Sequence, residues 1–385
     1  MTHILLLLIY LSFISLGLPD ALLGSAWPVI ATQFQTPISY MGIVSLLISG
    51  FTVISSLLSD RVNRRFGTGK VTAFSVGLTA VALLGFAFSN QFWHLCFWAI
   101  PYGLGAGSVD TGLNNYVASH YASRHMNWLH CMWGVGAAIG PYVMGLVLTG
   151  GRLWTMGYLY IAVFQIVLTA ILLISIPKWR KNAGEPVENY TPIPLKQIVT
   201  IPGVKEILLI FLCYSAVESI TGHWASSYLA LHLGIAEERA AGLAAMYYLG
   251  IIVGRAVSGF ATLRFSDKQM AYIGMGTVLV GLAIILVFKT ELPAIVGFTV
   301  TGIGCAPIFP CIIHATPQRF GTGKSQAIIG VQMASFYAGT CFIPPIFGIF
   351  ADFVGVGCMP IVLISVLICM LLLHLRLYRI SEVTC

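Results

Sequence analysis

A chain of 385 residues with a mean hydropathy of +0.89, 58% hydrophobic and only 9% charged residues cannot present a water-facing surface over most of its area, because soluble domains carry roughly 25% charged residues. Helices that cross a hydrocarbon core about 30 Å thick need roughly 20 apolar residues each, and a series of them would consume the whole chain without leaving a sizeable soluble domain. The formal charge of +7 does not point to nucleic acid, because its carriers fall between apolar runs rather than in one basic patch.

In chain order, Met1 to Tyr10 is apolar with no Lys or Arg ahead of it, unlike a cleaved signal peptide. The run continues past Pro19 and Asp20 to Ile30 and is expected to be a retained first membrane helix. Hydropathy predicts spans near residues 4–33, 38–58, 70–89, 92–118, 128–149 and 153–176. A second set follows near 204–232, 240–262, 269–288, 292–316, 326–350 and 357–377. Between the sets, Pro177 to Pro202 is the one long polar stretch, with Lys178, Arg180, Lys181, Glu185 and Glu188. The expected architecture is an all-α integral membrane protein of twelve helices in two six-helix pseudo-repeats. Its parts are an N-terminal bundle over 1–176, a cytoplasmic linker over 177–203, a C-terminal bundle over 204–378 and a tail over 379–385.

Lys and Arg set the expected orientation. With the N-terminus inside, residues from Arg61, Arg64 and Arg65 to Arg376 and Arg379 fall on the cytoplasmic side, and Arg152, Arg239 and Lys289 on the other. Both termini are therefore expected in the cytoplasm of a cell that carries the protein in its cytoplasmic (inner) membrane. The halves echo each other. Asp20 precedes Trp27 in the first span and Glu218 precedes Trp224 in the seventh; Gly136, Pro141 and Gly145 in the fifth match Gly339, Pro344 and Gly348 in the eleventh. Parallel repeats of this kind are one way to build an alternating-access carrier.

The expected loop after the second span reads Ser56-Leu-Leu-Ser-Asp60-Arg61-Val-Asn63-Arg64-Arg65-Phe-Gly67. It resembles the signature loop of the major facilitator superfamily, Gly-x-x-x-Asp-Arg-x-Gly-Arg-Arg/Lys, with Ser56 and Asn63 in place of the motif glycines. The resemblance implies that Asp60, Arg61, Arg64 and Arg65 form a conformational gate at the cytoplasmic face. Arg255, in a degenerate echo with Gly254, Gly259, Arg264 and Asp267, would join it. Gly17-Leu-Pro19-Asp20-Ala-Leu-Leu and Asp110-Thr-Gly-Leu-Asn114-Asn115-Tyr116-Val are similar to segments of the fucose-permease branch of proton:sugar symporters. In that branch the two acids handle the proton and the sugar. A competing likeness is Gly136-Ala-Ala-Ile-Gly140-Pro141-Tyr-Val-Met144-Gly145, which resembles a motif of drug/proton antiporters broken by Met144.

Asp20, Asp110 and Glu218 lie inside apolar spans. An ionised acid there costs about 3 kcal/mol on the lenient insertion scale, so such groups persist where they face a hydrated cleft, pair, or hold a proton. Asp20 and Asp110 are the expected proton-coupling pair. Expected substrate contacts are Asn114, one turn from Asp110, with Asn115, Glu218, His223, His130 and Gln332, and the ring faces of Trp27 and Trp224. Trp128, Trp133, Tyr214, Tyr247 and Tyr248 are further stacking candidates, while His314 reads as a core histidine. The nine cysteines show no Cys-x-x-Cys pair, and no metal-ligand spacing, phosphate-cradling loop or nucleophile elbow is present in the sequence. No metal or cofactor is expected, and an enzyme is disfavoured. The expected partners are protons, a small solute and the lipid bilayer, and the expected state is a monomer. A symporter for a monosaccharide leads, with a proton-coupled exporter of a drug or metabolite as the alternative.

Overall fold

In the computed structural model of the chain, residues 2–20, 22–37, 40–179 and 193–383 are described, and they form helices and connecting turns with no strand among them. The linker charges Arg180, Lys181, Glu185 and Glu188 lie outside the described residues. The first span is α1 (Thr2–Asp20) with α2 (Leu22–Gln33); α3 (Met41–Phe66), α4 (Thr68–Ala87), α5 (Phe92–His120), α6 (Ser123–Thr149) and α7 (Trp154–Ser175) follow. After the short α8 (Leu195–Thr200) come α9 (Val204–Ser227), α10 (Glu237–Ala261), α11 (Asp267–Val287) and α12 (Glu291–His314). The short α13 (Thr316–Phe320), α14 (Thr322–Val354) and α15 (Met359–Val383) complete the chain. Ten stretches among the described residues are long and apolar enough to cross a membrane. Helices α5 and α9, of 29 and 24 residues, supply the remaining two of the twelve expected spans. They are also the helices that carry Asp110, Asn114 and Asn115, and Glu218 and His223. These polar side chains lower the hydropathy of the two helices.

The largest boundary difference is at the end of the second span. The signature stretch, expected as a loop, is the last part of α3, which stays helical to Phe66. Asp60 and Arg64 pair one turn apart, and Arg64 and Arg65 in the last turn favour the negative end of the helix dipole. Gly67 stops the helix with φ 82° and ψ 144°, and Gly321 separates α13 from α14 with φ 83° and ψ 145°. The two turns share one hexapeptide, Arg-Phe-Gly-Thr-Gly-Lys, at 65–70 and 319–324. The sequence reading missed this repeat, and it explains the matching backbone, because only glycine takes these angles without steric cost.

The chain groups into two compact units. The first comprises residues 1–119, 129–192 and 322–330, and the second 120–128, 193–321 and 331–385. The interior of the first is filled by Ile9, Phe13, Leu22, Trp27, Tyr116 and Trp154, and that of the second by Phe211, Tyr214, Tyr228, Tyr247 and Phe298. In the first unit α1 lies directly on α6. A Cβ added to Gly17 would stand 2.1 Å from the Trp133 carbonyl oxygen, one on Gly136 2.2 Å from that of Ile14, and one on Gly140 1.9 Å from that of Leu18. Small residues are what allow membrane helices to approach so closely, so the Gly-rich run of the fifth span has a mechanical role. Gly140→Val is expected to force the helices apart and cost about 3 kcal/mol, read as a lower unfolding temperature of the detergent-purified protein.

Candidate functional site

The close approach of α1 and α6 delivers Trp133 to Asp20. Trp133 Nε1 donates to Asp20 Oδ2 at 2.8 Å, and the Tyr102 hydroxyl of α5 donates to Oδ1 at 3.1 Å. Asp20 is nonetheless exposed as a residue, in the middle of an apolar span, with both carboxylate oxygens held by side-chain donors. Tyr102 was not anticipated. The signal was there: it precedes Asp110 by two helical turns and therefore shares its face of α5.

Below Tyr102 on α5, the Asn114 amide bridges two titratable groups. Its Nδ2 donates to Asp110 Oδ1 at 2.8 Å, and its Oδ1 lies 3.0 Å from His130 Nε2 of α6. With the amide nitrogen turned to the acid, the amide oxygen accepts, so His130 donates through Nε2. All three are buried, at 5%, 0% and 6% exposure, and the edge of Phe13 closes the far side of the imidazole with ring centroids 5.4 Å apart. The structure thus brings together Asp110, Asn114 and His130, three of the expected residues, in one hydrogen-bonded chain. Trp27 is elsewhere. It packs in the core at 2% exposure, edge-on to Phe92.

Asn115 points the other way along α5, and its Oδ1 accepts from Ser325 Oγ of α14 at 2.7 Å. The same first turns of α14, which group with the first unit, meet the expected gate residues. Arg64 Nε donates to Asp60 at 2.7 Å and its Nη2 to the Gly323 carbonyl, while Gln326 Nε2 donates to Ser59 Oγ at 2.8 Å. Arg61 and Arg65 are exposed. The contact between α3 and α14 is therefore carried by Asp60 through Arg64, with neutral hydroxyl and amide groups around it. Ser59→Ala is expected to weaken the hold on α14 by about 1 kcal/mol, seen as faster trypsin cleavage after Lys324.

In the second unit, Glu218 of α9 pairs with Arg255 of α10, Oε1 to Nη2 at 3.4 Å. Arg255, expected at the gate, lies within α10 at 4% side-chain exposure. Tyr247 donates its hydroxyl to the Glu218 carbonyl at 3.2 Å, and Tyr214 donates to the Cys305 carbonyl at 3.2 Å. His223 is exposed, with Nδ1 2.7 Å from the Ser219 carbonyl. Trp224 donates Nε1 to the Pro344 carbonyl at 3.2 Å, meets Phe347 edge-on and lines a cavity of about 380 Å³ with His232 and Asp352. Gln332 is fully buried and its amide is spent on the Thr316 hydroxyl at 3.1 Å. Among the described residues no three His, Cys, Asp or Glu side chains gather as metal ligands would.

The chain is similar to known proteins over nearly its full length. It is 25% identical to Bypass of stop codon protein 6 of Saccharomyces cerevisiae over 394 aligned positions, covering 91% of this chain and 77% of that protein. It is 21% identical to the glucose/mannose transporter GlcP of Bacillus subtilis over 309 positions, covering 78% and 77%. Among solved structures, the E. coli fucose:proton symporter FucP superposes with a TM-score of 0.76 at 13% identity over 98% of both chains. The family model described as Major Facilitator Superfamily matches residues 9–235 and 207–384. With twelve helices in that fold and polar residues concentrated within its spans, the chain belongs to the Major Facilitator Superfamily and is a multi-pass membrane transporter rather than an enzyme.

Proposed function

We propose that this transporter moves a monosaccharide by proton symport with alternating access. The observation that carries the proposal is the pairing, within one unit, of an exposed mid-span acid, Asp20, with a buried one, Asp110, wired through Asn114 to His130. A carboxylate that changes between a hydrated and a dry setting changes its affinity for a proton, which is what coupling requires. Asp20 and Asp110 would carry the proton. In the first unit Asn114 and His130 offer an amide and a ring nitrogen for sugar hydroxyls; in the second, Glu218, His223 and Trp224 offer a charge, a ring nitrogen and a ring face of the same kind. Asp60 and Arg64 would serve as the gate with both termini in the cytoplasm of a monomer. The names of relatives such as the glucose/mannose transporter GlcP and the sodium-dependent glucose transporter 1A support a sugar as the solute. The small-residue run on α6, which resembles a drug-antiporter motif broken by Met144, is accounted for by its packing on α1 and lends no support to export.

The test is uptake of a panel of radiolabelled sugars into proteoliposomes under an imposed proton gradient, with a sodium gradient as comparison. Accumulation of one or more sugars with the interior alkaline supports the proposal. Efflux of lipophilic dyes without any sugar signal would overturn it.

A further inference from the structure

His314 closes α12, and both of its ring nitrogens lie against oxygen atoms. Nδ1 is 2.6 Å from Asp267 Oδ2 at the start of α11, and Nε2 is 2.9 Å from the carbonyl oxygen of Tyr121. A peptide carbonyl can only accept, so Nε2 must carry hydrogen. The Nδ1–Asp267 bond then needs a further proton, held by the ring as imidazolium or by the carboxyl. Either way the pair holds one proton more than a neutral histidine beside an ionised aspartate. The site is small and dry, with His314 and Asp267 side chains at 8% and 13% exposure. The other oxygen of Asp267 accepts from the Ser123 hydroxyl.

Tyr121 and Ser123 form the turn between α5 and α6, and residues 120–128 group with the second unit although the rest of both helices groups with the first. Further contacts on the same segment include weak and apolar ones. Asn127 Nδ2 stands 3.6 Å from Cys311 Sγ, and the Trp128 ring fills the place of a side chain at Gly259. The His314–Asp267 pair supplies charge-assisted bonds to this segment, and such bonds are about twice as strong as neutral ones.

We propose that His314 and Asp267 form a proton-binding site, separate from Asp20 and Asp110, whose proton latches the α5–α6 turn to the ends of α11 and α12. Loss of the proton leaves an ionised aspartate and a singly protonated ring, which can satisfy Asp267 or the Tyr121 carbonyl but not both. The turn is then released. The surrounding charges are engaged elsewhere. Lys268 of α11 and Arg319 of α13 each lie 4.2 Å from the centroid of the Tyr378 ring, and Arg124 Nε bonds the His125 ring at 3.2 Å. Cys311, one turn earlier on α12, is 4.0 Å from Ser123 Oγ. Asp267 is the acid that faces the imidazole.

Hydrogen exchange read by mass spectrometry on the full chain in nanodiscs, with no solute present and intrinsic rates corrected for pH, tests the latch. Amides of 120–128 are expected to lose protection by about tenfold or more between about pH 5.5 and about pH 8.5, while the middle of α5 is unchanged. His314→Gln, which has no titratable ring, is expected to show the fast rate at both values. Asp267→Asn serves the same purpose where His314→Gln does not fold. Equal protection of wild-type 120–128 at both values, or a pH dependence that survives in His314→Gln or Asp267→Asn, would overturn the proposal. Neither result depends on which solute is carried.

Discussion

In proteoliposomes, Asp110→Asn is expected to let sugar equilibrate across the membrane but not accumulate. A proton gradient of about one pH unit is worth about 1.4 kcal/mol, enough to support an about tenfold sugar ratio at one proton per sugar. The wild-type protein should reach that ratio, and the variant should stay at unity. The physical reason lies in the shape of the site. Asp110 is 5% exposed and accepts from Asn114 Nδ2 through one oxygen. An asparagine keeps that volume and that acceptor, so Asn114 and His130 keep their places and the binding surface survives. What disappears is a group able to exchange a proton between the two states. Sugar counterflow, which needs no net proton movement, should persist. An uphill ratio retained in the variant would remove Asp110 from the coupling.

The second large effect concerns the Glu218–Arg255 pair, and the two single neutralisations should differ. Glu218→Gln takes the Glu218 carboxylate away from a guanidinium at 4% exposure, and arginine cannot shed its proton. Breaking a buried pair in this way costs about 3–5 kcal/mol. Arg255→Gln leaves a carboxylate that can take up a proton and become neutral, at 16% exposure, so its cost should be clearly smaller. Thermal unfolding of the purified variants should rank wild type above Arg255→Gln above Glu218→Gln. The double substitution should recover most of the loss, since the coupling in a double-mutant cycle is large for groups in direct contact. Equal costs for the two single changes, or a double variant worse than either, would show that the pair does not act as one unit.

The division into spans was legible from hydropathy because lipid imposes one requirement on every residue of a spanning helix, and the long helices follow the expected runs, whereas the short α8 and α13 do not. The pairing of Asp110 with Asn114 was legible for a local reason: residues four apart on a helix are neighbours. Tertiary partners were not. Nothing local ties Arg255 to Glu218, 37 positions earlier, and its place beside Gly254 drew it into the gate instead. His130 was suspected from its depth alone, and its bond to Asn114 needed α6 to be seated on α1 by Gly136 and Gly140. Trp27 looked available because it follows Asp20 in sequence, yet a seven-residue offset within one span says nothing about which helices cover it. The signature stretch reads as a loop because its charges depress hydropathy, although the Asp60–Arg64 pair and the position of Gly67 favour helix up to that glycine. His314 read as a plain core histidine, because both of its partners come from distant parts of the chain.

The most direct measurement is proton movement started by sugar. Proteoliposomes holding the wild-type protein, with no imposed gradient, are mixed with the transported sugar while a pH-sensitive dye reports the external medium. Inward symport should alkalinise the medium in step with sugar entry, and Asp20→Asn and Asp110→Asn should abolish the signal. Rapid sugar entry through the wild-type protein with no accompanying change in external pH would contradict the coupling assigned to these two carboxylates.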